Sequence, residues 1–456
     1  MRRLGEVGLL ASLAVAGCGS WQRVGTDPHP PRGGTLPSLA DAGSVYRRMG
    51  FLVAGAPLPF VAAVRYLADS APTSTLAVFA LSLANHSLSF QRDGNTFVAQ
   101  YHVEVAFRAD TTQARQIGSD ETVRVRTFQE TLRADESVIY QQFVGLPPGV
   151  YTVTVTVRDR NAPASTRQER TETVPRFAGR ALSSPIPVYE GPGRTGRAQL
   201  PKLLVNPRAT LPYGGDTLRF YVEAYGLLRG ARLVARGFDL SGTEVAHDTV
   251  SLTGDERFGA AELAFAPGNL PVGEGSLEVA ALVPGSGAPP PQRAPFVVSF
   301  SDQWAITNFD EMISLLRYFD RQDWVDSLRK ASVADRPSVW RRFYKATDPV
   351  PMTPENEALD QYFRRVQTAN QRFQESGDPG WLTDRGEVFI TLGEPDDVFD
   401  FSSDVSRSGV RGVRWTYSSL RLTLFFQDQT GFGRFRLTPM SRAEYQRVLA
   451  RVRRGQ

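Results

Sequence analysis

The feature that most constrains the fold is the alternation of apolar and polar side chains along the first two thirds of the chain. It is clearest between Thr96 and Arg108, where every second residue is apolar. A period of two places these apolar side chains on one face of a β-strand. Asp93-Gly94, just upstream, is a typical hairpin turn. The pattern therefore predicts antiparallel strands that bury one face and expose the other.

A turn at residues 146–149, Leu-Pro-Pro-Gly, leads into Tyr151 and then into alternating valines and threonines. A tyrosine at the start of a strand after such a turn resembles the tyrosine corner of immunoglobulin-like sandwiches, in which the hydroxyl bonds a nearby backbone group. We therefore expect residues 45–178 to form an Ig-like or fibronectin-like β-sandwich. A similar turn at residues 270–273, Leu-Pro-Val-Gly, predicts a second β-sandwich over residues 179–302.

The spacing of apolar residues then changes to a helical period, which predicts an α+β domain over residues 303–456. Thr307 or Asn308 is expected to cap its first helix. The further predicted elements are helices that open at Pro337 and Thr353, strands over Val388–Leu392, Val413–Tyr417, Leu422–Asp428 and Arg434–Leu437, and a last helix behind a capping box at Ser441–Glu444.

The N-terminus has the layout of a secretory signal. Arg2 and Arg3 precede a short apolar segment over residues 7–16. The run Val-Ala-Gly-Cys that ends at Cys18 resembles a bacterial lipobox, which implies removal of the signal peptide, residues 1–17, and lipidation of the cysteine. The alternative is an ordinary signal peptide with an incidental cysteine.

Residues 18–44 are rich in proline and glycine and are predicted to form a flexible tether behind the lipidated cysteine. Gly19 is not the aspartate that, in lipoproteins of two-membrane bacteria, signals retention in the inner membrane. The resemblance therefore implies an exported protein that a lipid anchors to the outer membrane. Cys18 is the only cysteine of the chain, so no intrachain disulfide can form.

Charge and composition argue against a nucleic-acid partner. The chain has 52 basic and 48 acidic residues, and its basic residues form no stripe of the kind that a phosphate backbone requires. Hydrophobic residues make up 41% of the chain, which excludes a mainly disordered protein. On the last predicted helix, Arg447, Arg451 and Arg454 share one side, which we interpret as a solvated face rather than a membrane patch.

No catalytic set is recognisable in the sequence. The chain has four histidines, all upstream of the C-terminal domain: His29, His86, His102 and His247. A relay that activates a nucleophile through histidine is therefore not expected in that domain. Metal and cofactor motifs are not found, and the acidic residues between Asp396 and Asp404 lack the spacing of a calcium loop. We predict no cofactor, no metal site and no catalytic residue.

The densest group of distinctive residues lies in the C-terminal domain. Residues 380–386 read Gly-Trp-Leu-Thr-Asp-Arg-Gly, and a Gly-Glu-Pro-Asp run follows at residues 393–396. This succession resembles the GWxTD-domain family of bacterial exported proteins, which has no assigned biochemical activity. The resemblance extends forward to Trp415-Thr416-Tyr417. The candidate site residues that it marks are Gly380, Trp381, Thr383, Asp384, Arg385, Gly386, Gly393, Pro395, Asp396, Trp415 and Tyr417.

Two roles are open for this motif. One is a turn that locks the last long helix onto the first strand of the C-terminal sheet. The other is a shallow polar site built from Asp384, Arg385, Glu394, Asp396 and Asp397. The partners that we consider for Asp384 and Arg385 are Arg365, Arg414 and Asp348.

We expect a lipid-anchored envelope protein that acts as a binding or scaffold module through its GWxTD-like domain. Its expected contacts are the membrane, through the lipid anchor, and another envelope protein. The alternative is an exported hydrolase of envelope glycan or peptide that uses carboxylates such as Asp384 and Asp396. A purely structural spacer is the third possibility.

Overall fold

The computed structural model describes residues 42–454, apart from 110–111, 134–137, 216, 229, 267, 269, 284–286, 302–303, 305, 307, 352–355, 376 and 402–410. The predicted signal peptide, Cys18 and most of the predicted tether lie outside the described residues. The described part of the chain contains no helix that is both long enough and apolar enough to cross a bilayer. It begins with helix α1 (Ala42–Arg48).

The first β-sandwich follows α1. Its elements are β1 (Leu52–Ala54), β2 (Phe60–Ala68), β3 (Thr75–Leu83), β4 (Gln91–Asp93), β5 (Thr96–Ala109), β6 (Thr112–Val125), α2 (Phe128–Thr131), β7 (Val138–Leu146), β8 (Gly149–Asp159) and β9 (Ser165–Val174). One antiparallel sheet has the order β1-β2-β3-β7, and the other has β6-β5-β8-β9 with β4 paired to the start of β5. The predicted tyrosine corner is confirmed, because Tyr151 is buried and its hydroxyl donates to the Pro147 carbonyl at 2.9 Å.

The second β-sandwich also has two sheets. Its strands are β10 (Ala181–Leu182), β11 (Ile186–Gly193), β12 (Lys202–Val205), β13 (Thr210–Pro212), β14 (Leu218–Tyr225), β15 (Arg232–Asp239), β16 (Glu244–Ser251), β17 (Thr253–Gly254), β18 (Gly259–Phe265), β19 (Gly273–Leu282) and β20 (Gln292–Ser299). The sheet orders are β12-β11-β14-β18-β17, with β10 beside β14, and β13-β20-β19-β15-β16. Strands β13 and β20 are parallel, and the other described pairs of this sandwich are antiparallel.

The two sandwiches pack face to face through the sheet that contains β3. Every residue of β3 is buried. Phe79 packs in the core of the first sandwich, whereas the adjacent Val78 packs with Ile186 and Val188 of the second. A strand that is buried on both faces is apolar at nearly every position, and residues 76–81 read Leu-Ala-Val-Phe-Ala-Leu.

A buried ion pair of the second sandwich lies at the same junction. Arg194 donates to both carboxylate oxygens of Glu223 at 2.7 Å and to the Ala68 carbonyl of the first sandwich at 2.6 Å. The hydroxyls of Tyr221 and Tyr225 also donate to Glu223. Burial of two charges is tolerated when such partners surround them. The pair therefore ties the end of β2 to the second sandwich.

The C-terminal domain combines helices with one sheet. Its elements are α3 (Phe309–Leu315), α4 (Gln322–Lys330), α5 (Arg336–Thr347), α6 (Glu357–Arg372), α7 (Asp384–Leu392), β21 (Asp397–Asp400), β22 (Arg411–Tyr417), β23 (Leu422–Asp428), β24 (Arg436–Leu437) and α8 (Pro439–Arg453). The four strands form an antiparallel sheet in chain order. Its core continues into the second sandwich through the rings of Phe300 and Trp340, 4.6 Å apart. The predicted fold class, two β-sandwiches followed by an α+β domain, is confirmed.

Two element predictions for this domain are wrong. The strand predicted over Val388–Leu392 is the second half of α7, which begins behind Thr383. An apolar run of this length suits a buried helix as well as a buried strand. The last helix begins at Pro439 behind Thr438, whose hydroxyl accepts from the Ser441 N–H, so Ser441 does not open a capping box.

The other helix predictions have mixed outcomes. Asn308 caps α3 as predicted, since its side chain accepts from the backbone of Asp310 and Glu311. Helix α5 begins one residue before the predicted Pro337, and α4 has no counterpart among the predictions. The start predicted at Thr353 lies outside the described residues.

Candidate functional site

The motif at residues 380–386 forms a tight corner between α6 and α7. One turn of 3-10 helix, Gly380–Leu382, is followed by Thr383 as the N-cap of α7. The buried Thr383 hydroxyl accepts from the Gly386 N–H at 3.1 Å and donates to the Gly380 carbonyl at 2.8 Å. One side chain thus closes the corner and satisfies a free N–H of the helix. The predicted turn joins two helices rather than a helix and a strand.

The two glycines of the motif permit close backbone contact. A Cβ atom at Gly386 would overlap the Gly380 carbonyl oxygen, and a Cβ atom at Gly380 would overlap the Ala369 carbonyl oxygen of α6. Trp381 is buried at the same corner, with the Arg317 guanidinium 6.0 Å from its ring centre. Only glycine leaves room for backbone segments that approach this closely.

Asp384, the first residue of α7, binds the start of the last helix. Its carboxylate accepts from the Leu437 N–H and forms an ion pair with Arg442, both at 2.7 Å. Arg436 lies 3.8 Å away. An acidic side chain in the first helical turn is also favoured by the helix dipole. Asp384 therefore fixes α7 to β24 and α8.

The partners considered for Asp384 and Arg385 from the sequence bond elsewhere. The Arg365 guanidinium donates to the Ile390 carbonyl, and Arg414 pairs with Asp397. Asp348 accepts from the backbone N–H of Val350. These three candidates are therefore not the partners that the structure gives Asp384 and Arg385.

Arg385 pairs with a buried acid, Glu375. Its guanidinium donates to Glu375 at 3.2 Å and lies 4.2 Å from the centre of the Phe435 ring. Glu375 also accepts from the Phe435 N–H at 3.2 Å. Burial raises the pKa of Glu375, an effect that the Phe435 hydrogen bond, Arg385 and Arg436 oppose. The pair ties α7 to the segment before β24.

The Gly-Glu-Pro-Asp run forms the connection from α7 to the sheet. Gly393 ends α7 with a positive φ of 89°, and its carbonyl accepts from the Tyr417 hydroxyl at 3.0 Å. Pro395 is buried. The Asp396 carboxylate accepts from the Ser418 N–H at 2.6 Å. Trp415 is buried against Phe373 and Phe426, so the predicted Trp and Tyr are core residues of the sheet.

The structure does not assemble the predicted polar site. Asp384 lies at the start of α7, whereas Glu394, Asp396 and Asp397 follow its end, and nine helical residues span about 13 Å. Glu394 pairs with Arg372 at 2.6 Å. Each of these acids thus has its own local partner.

Histidines and metal ligands are not found near this corner in the part of the chain that the structure describes. His102 bonds Asp120 at 2.9 Å in the first sandwich, and His86 and His247 also lie in the sandwiches. Among the described residues, no three acidic, histidine or cysteine side chains are placed to hold a metal ion. Asp404, from the predicted acidic loop, lies outside those residues.

The solvent face of the C-terminal sheet carries a different kind of surface. The strand register places Phe399, Arg414 and Phe425 side by side on β21, β22 and β23. Phe399 is 53% exposed and Phe425 41% exposed. The Arg414 guanidinium lies 5.1 Å from the Phe399 ring centre. We call these three residues the Phe-Arg-Phe row.

No motif of the sequence marks this row, although β23 carries one signal for it. In Leu422–Asp428 the inward side chains alternate as Leu422, Leu424 and Phe426. Phe425 lies on the opposite face of the strand, where a polar residue is expected. Phe425 therefore adds a second exposed aromatic ring beside Phe399 and Arg414 on this face of the sheet.

Comparisons with known proteins add a family. The model of the GWxTD domain matches residues 290–446. No curated protein matches the chain.

Two solved structures give low similarity. Red sea bream transglutaminase is 10% identical with a TM-score of 0.16, over 54% of this chain and 32% of that one. A tetra-tandem repeat in the extending region of a large adhesion protein is 14% identical with a TM-score of 0.18, over 52% of this chain and 50% of that one. The chain thus spans a third to a half of their lengths, and neither likeness bears on function.

The corner at residues 380–386 and the sheet that follows it both lie inside the matched region, 290–446. The resemblance drawn from the motif is therefore confirmed. The chain is a GWxTD domain-containing protein.

Proposed function

We propose that this is an exported, lipid-anchored protein of the cell envelope that binds another envelope protein through the Phe-Arg-Phe row of its GWxTD domain. The single observation that supports binding at this place is the exposure of two phenylalanines around an arginine on a regular sheet face. Phenylalanine and arginine are enriched in protein interfaces, and aromatic and arginine anchors dominate their binding energy.

The proposed anchor is the lipidated Cys18, behind the signal peptide of residues 1–17. Gly19 favours the outer membrane over retention in the inner membrane. The predicted tether would let the folded body stand about 25–30 Å from the bilayer. The two sandwiches then act as a scaffold that carries the GWxTD domain.

The packing between the domains supports a scaffold role. Sheet β1-β2-β3-β7 is shared by both sandwich cores, and the core of the second sandwich runs into the GWxTD domain. The buried Arg194–Glu223 pair adds a polar contact at the first junction. A binding surface on the GWxTD domain then keeps its orientation relative to the two sandwiches.

The motif acids favour binding over hydrolysis. A carboxylate-dependent glycosidase needs two carboxyl groups that face the substrate, about 5–10 Å apart. Asp384 and Asp396 instead each accept a backbone N–H hydrogen bond that holds a turn. Asp384 is also paired with Arg442. Both side chains thus hold turns of the fold, which favours binding over hydrolysis.

The test is chemical crosslinking of intact cells that express the tagged full-length chain, followed by identification of the crosslinked proteins. The variant Phe399→Ser/Phe425→Ser removes both aromatic side chains from the row. Phe432→Ser is the matched control, because Phe432 is 77% exposed in the same domain but lies in the turn between β23 and β24.

We expect the double variant to lose a partner that the parent and the Phe432→Ser control retain. Identical crosslinking profiles for all three proteins would contradict the proposed binding surface. Equal thermal midpoints of the three purified proteins exclude a folding defect as the cause.

A further inference from the structure

The C-terminal segment concentrates positive charge. Residues 411–454 contain ten arginines and two acidic residues, Asp428 and Glu444. Asp428 is buried and holds the turn after β23 by accepting from the backbone of Thr430, Gly431 and Gly433. Glu444 is therefore the acidic residue within this segment that can pair with its exposed arginines.

The sequence places Arg447, Arg451 and Arg454 on one side of α8, and the structure adds arginines from two other segments. The Arg451 guanidinium donates to the Leu420 carbonyl at 3.1 Å, in the turn that carries Arg421. The Arg453 guanidinium donates to the Tyr318 carbonyl at 3.4 Å, next to Arg317. We call the whole set the arginine cluster: Arg317, Arg421, Arg447, Arg451, Arg453 and Arg454.

A second observation places two of these arginines together. Burial raises the pKa of the Tyr362 hydroxyl, and the charges of Arg317 and Arg453 both oppose that rise. Two guanidinium groups from segments more than a hundred residues apart thus act on one hydroxyl. The cluster is formed by the fold and not by the periodicity of α8 alone.

The cluster has little internal compensation. All six arginines are exposed. Within the described part of the chain, the cluster forms one ion pair, between Arg447 and Glu444 at 3.6 Å. The Arg447 side chain is 76% exposed. Like charges held together repel one another, and an external anionic surface relieves that repulsion.

We propose that the arginine cluster binds the anionic headgroups of a phospholipid bilayer. Its arginines come from a helix end, a hairpin turn and a 3-10 turn, so the positive charge is spread over a surface. A single-stranded nucleic acid would instead require a positively charged groove that follows its backbone. Val452, 38% exposed, adds apolar area between them. The inference rests on the proposed function only in that the lipid anchor would keep a bilayer within reach.

The test is co-sedimentation of residues 36–456, the compact unit of the chain without Cys18, with lipid vesicles. One vesicle type is pure phosphatidylcholine, and the other contains phosphatidylglycerol at about one third. We expect binding to the anionic vesicles only, weakened by added salt, because each arginine near an anionic surface contributes about fivefold to partitioning.

Arg447→Glu/Arg454→Glu should lower the partition coefficient on anionic vesicles at least tenfold. Arg342→Glu/Lys345→Glu is the matched control, since it makes the same change of net charge at two exposed positions of α5. Equal thermal midpoints verify that both variants are folded. Binding to neutral vesicles as tight as to anionic ones, or an unchanged partition of the cluster variant, would overturn the proposal.

The outcome is separable from that of the proposed function. Phe399→Ser/Phe425→Ser should bind anionic vesicles as the parent does, because the Phe-Arg-Phe row contains none of the cluster arginines. Loss of vesicle binding in that variant would also overturn the assignment of lipid binding to the cluster.

Discussion

The corner at residues 380–386 and the Phe-Arg-Phe row belong to the same domain, but they differ in the exposure of their side chains. In the corner, Thr383 bonds the backbone of Gly380, Asp384 accepts from the N–H of Leu437, and Trp381 is buried. In the row, Phe399 and Phe425 extend into solvent. The contacts of the corner hold backbone segments of the domain together, while the surface that we propose for binding has an inconspicuous sequence.

The largest loss of stability is expected at the closest backbone contact of the corner. Gly386→Ala should lower the free energy of unfolding by about 3 kcal/mol, because the added Cβ overlaps the Gly380 carbonyl and the backbone must move. Denaturant unfolding measures this. Gly196→Ala is the control, since no atom lies within 4 Å of the added Cβ there. A tolerated Gly386→Ala would show that the corner is not tightly packed.

The cap of α7 should have a smaller effect. Thr383→Ala removes the hydroxyl that satisfies the Gly386 N–H and should cost about 1–2 kcal/mol of unfolding free energy. Thr383→Ser keeps both hydrogen bonds of the hydroxyl and should recover most of the loss. Equal loss in the two variants would mean that the methyl group, and not the cap, is what matters at this position.

The buried acid beside Arg385 gives the corner a pH dependence. Burial raises the pKa of Glu375 in the folded chain. The folded state then holds the proton more tightly than the unfolded state, so the contribution of this group to stability falls as the pH rises through the folded-state pKa. The difference in unfolding free energy between the parent and Glu375→Gln should therefore shift in favour of the variant as the pH rises from about 4 to 7. A shift in the opposite direction would contradict the raised pKa.

Local patterns in the sequence were sufficient for much of the fold. The alternation from Thr96 to Arg108 lies within β5, and Tyr151 and Asn308 make the hydrogen bonds that their positions predict. These features depend on neighbours within a few residues. Local patterns also mislead at α7. The apolar run at Val388–Leu392 favours a strand, although Thr383 and the acidic residues of the first turn indicate the start of a helix.

The partners of the corner could not be predicted in the same way. Asp384 binds Arg442 and the N–H of Leu437, more than fifty residues downstream. Arg385 binds Glu375, which no motif marks. Such pairings depend on how α7, β24 and α8 pack, and hydrophobic periodicity gives no information about that packing. The Phe-Arg-Phe row likewise exists only through strand register.

The most direct test of the central claim is the thermal midpoint and the crosslinking profile of Asp384→Asn, with Asp326→Asn as control. The Asp384 side chain is 16% exposed and pairs with Arg442, whereas the Asp326 side chain on α4 is 51% exposed and pairs with Arg329. We predict that Asp384→Asn loses about 1–2 kcal/mol of unfolding free energy, which lowers the midpoint by about 1–2 °C, and keeps its partner. Asp326→Asn should change stability by less than about 0.5 kcal/mol. An unchanged midpoint together with loss of the partner in Asp384→Asn would contradict the account, because the motif would then be a binding site.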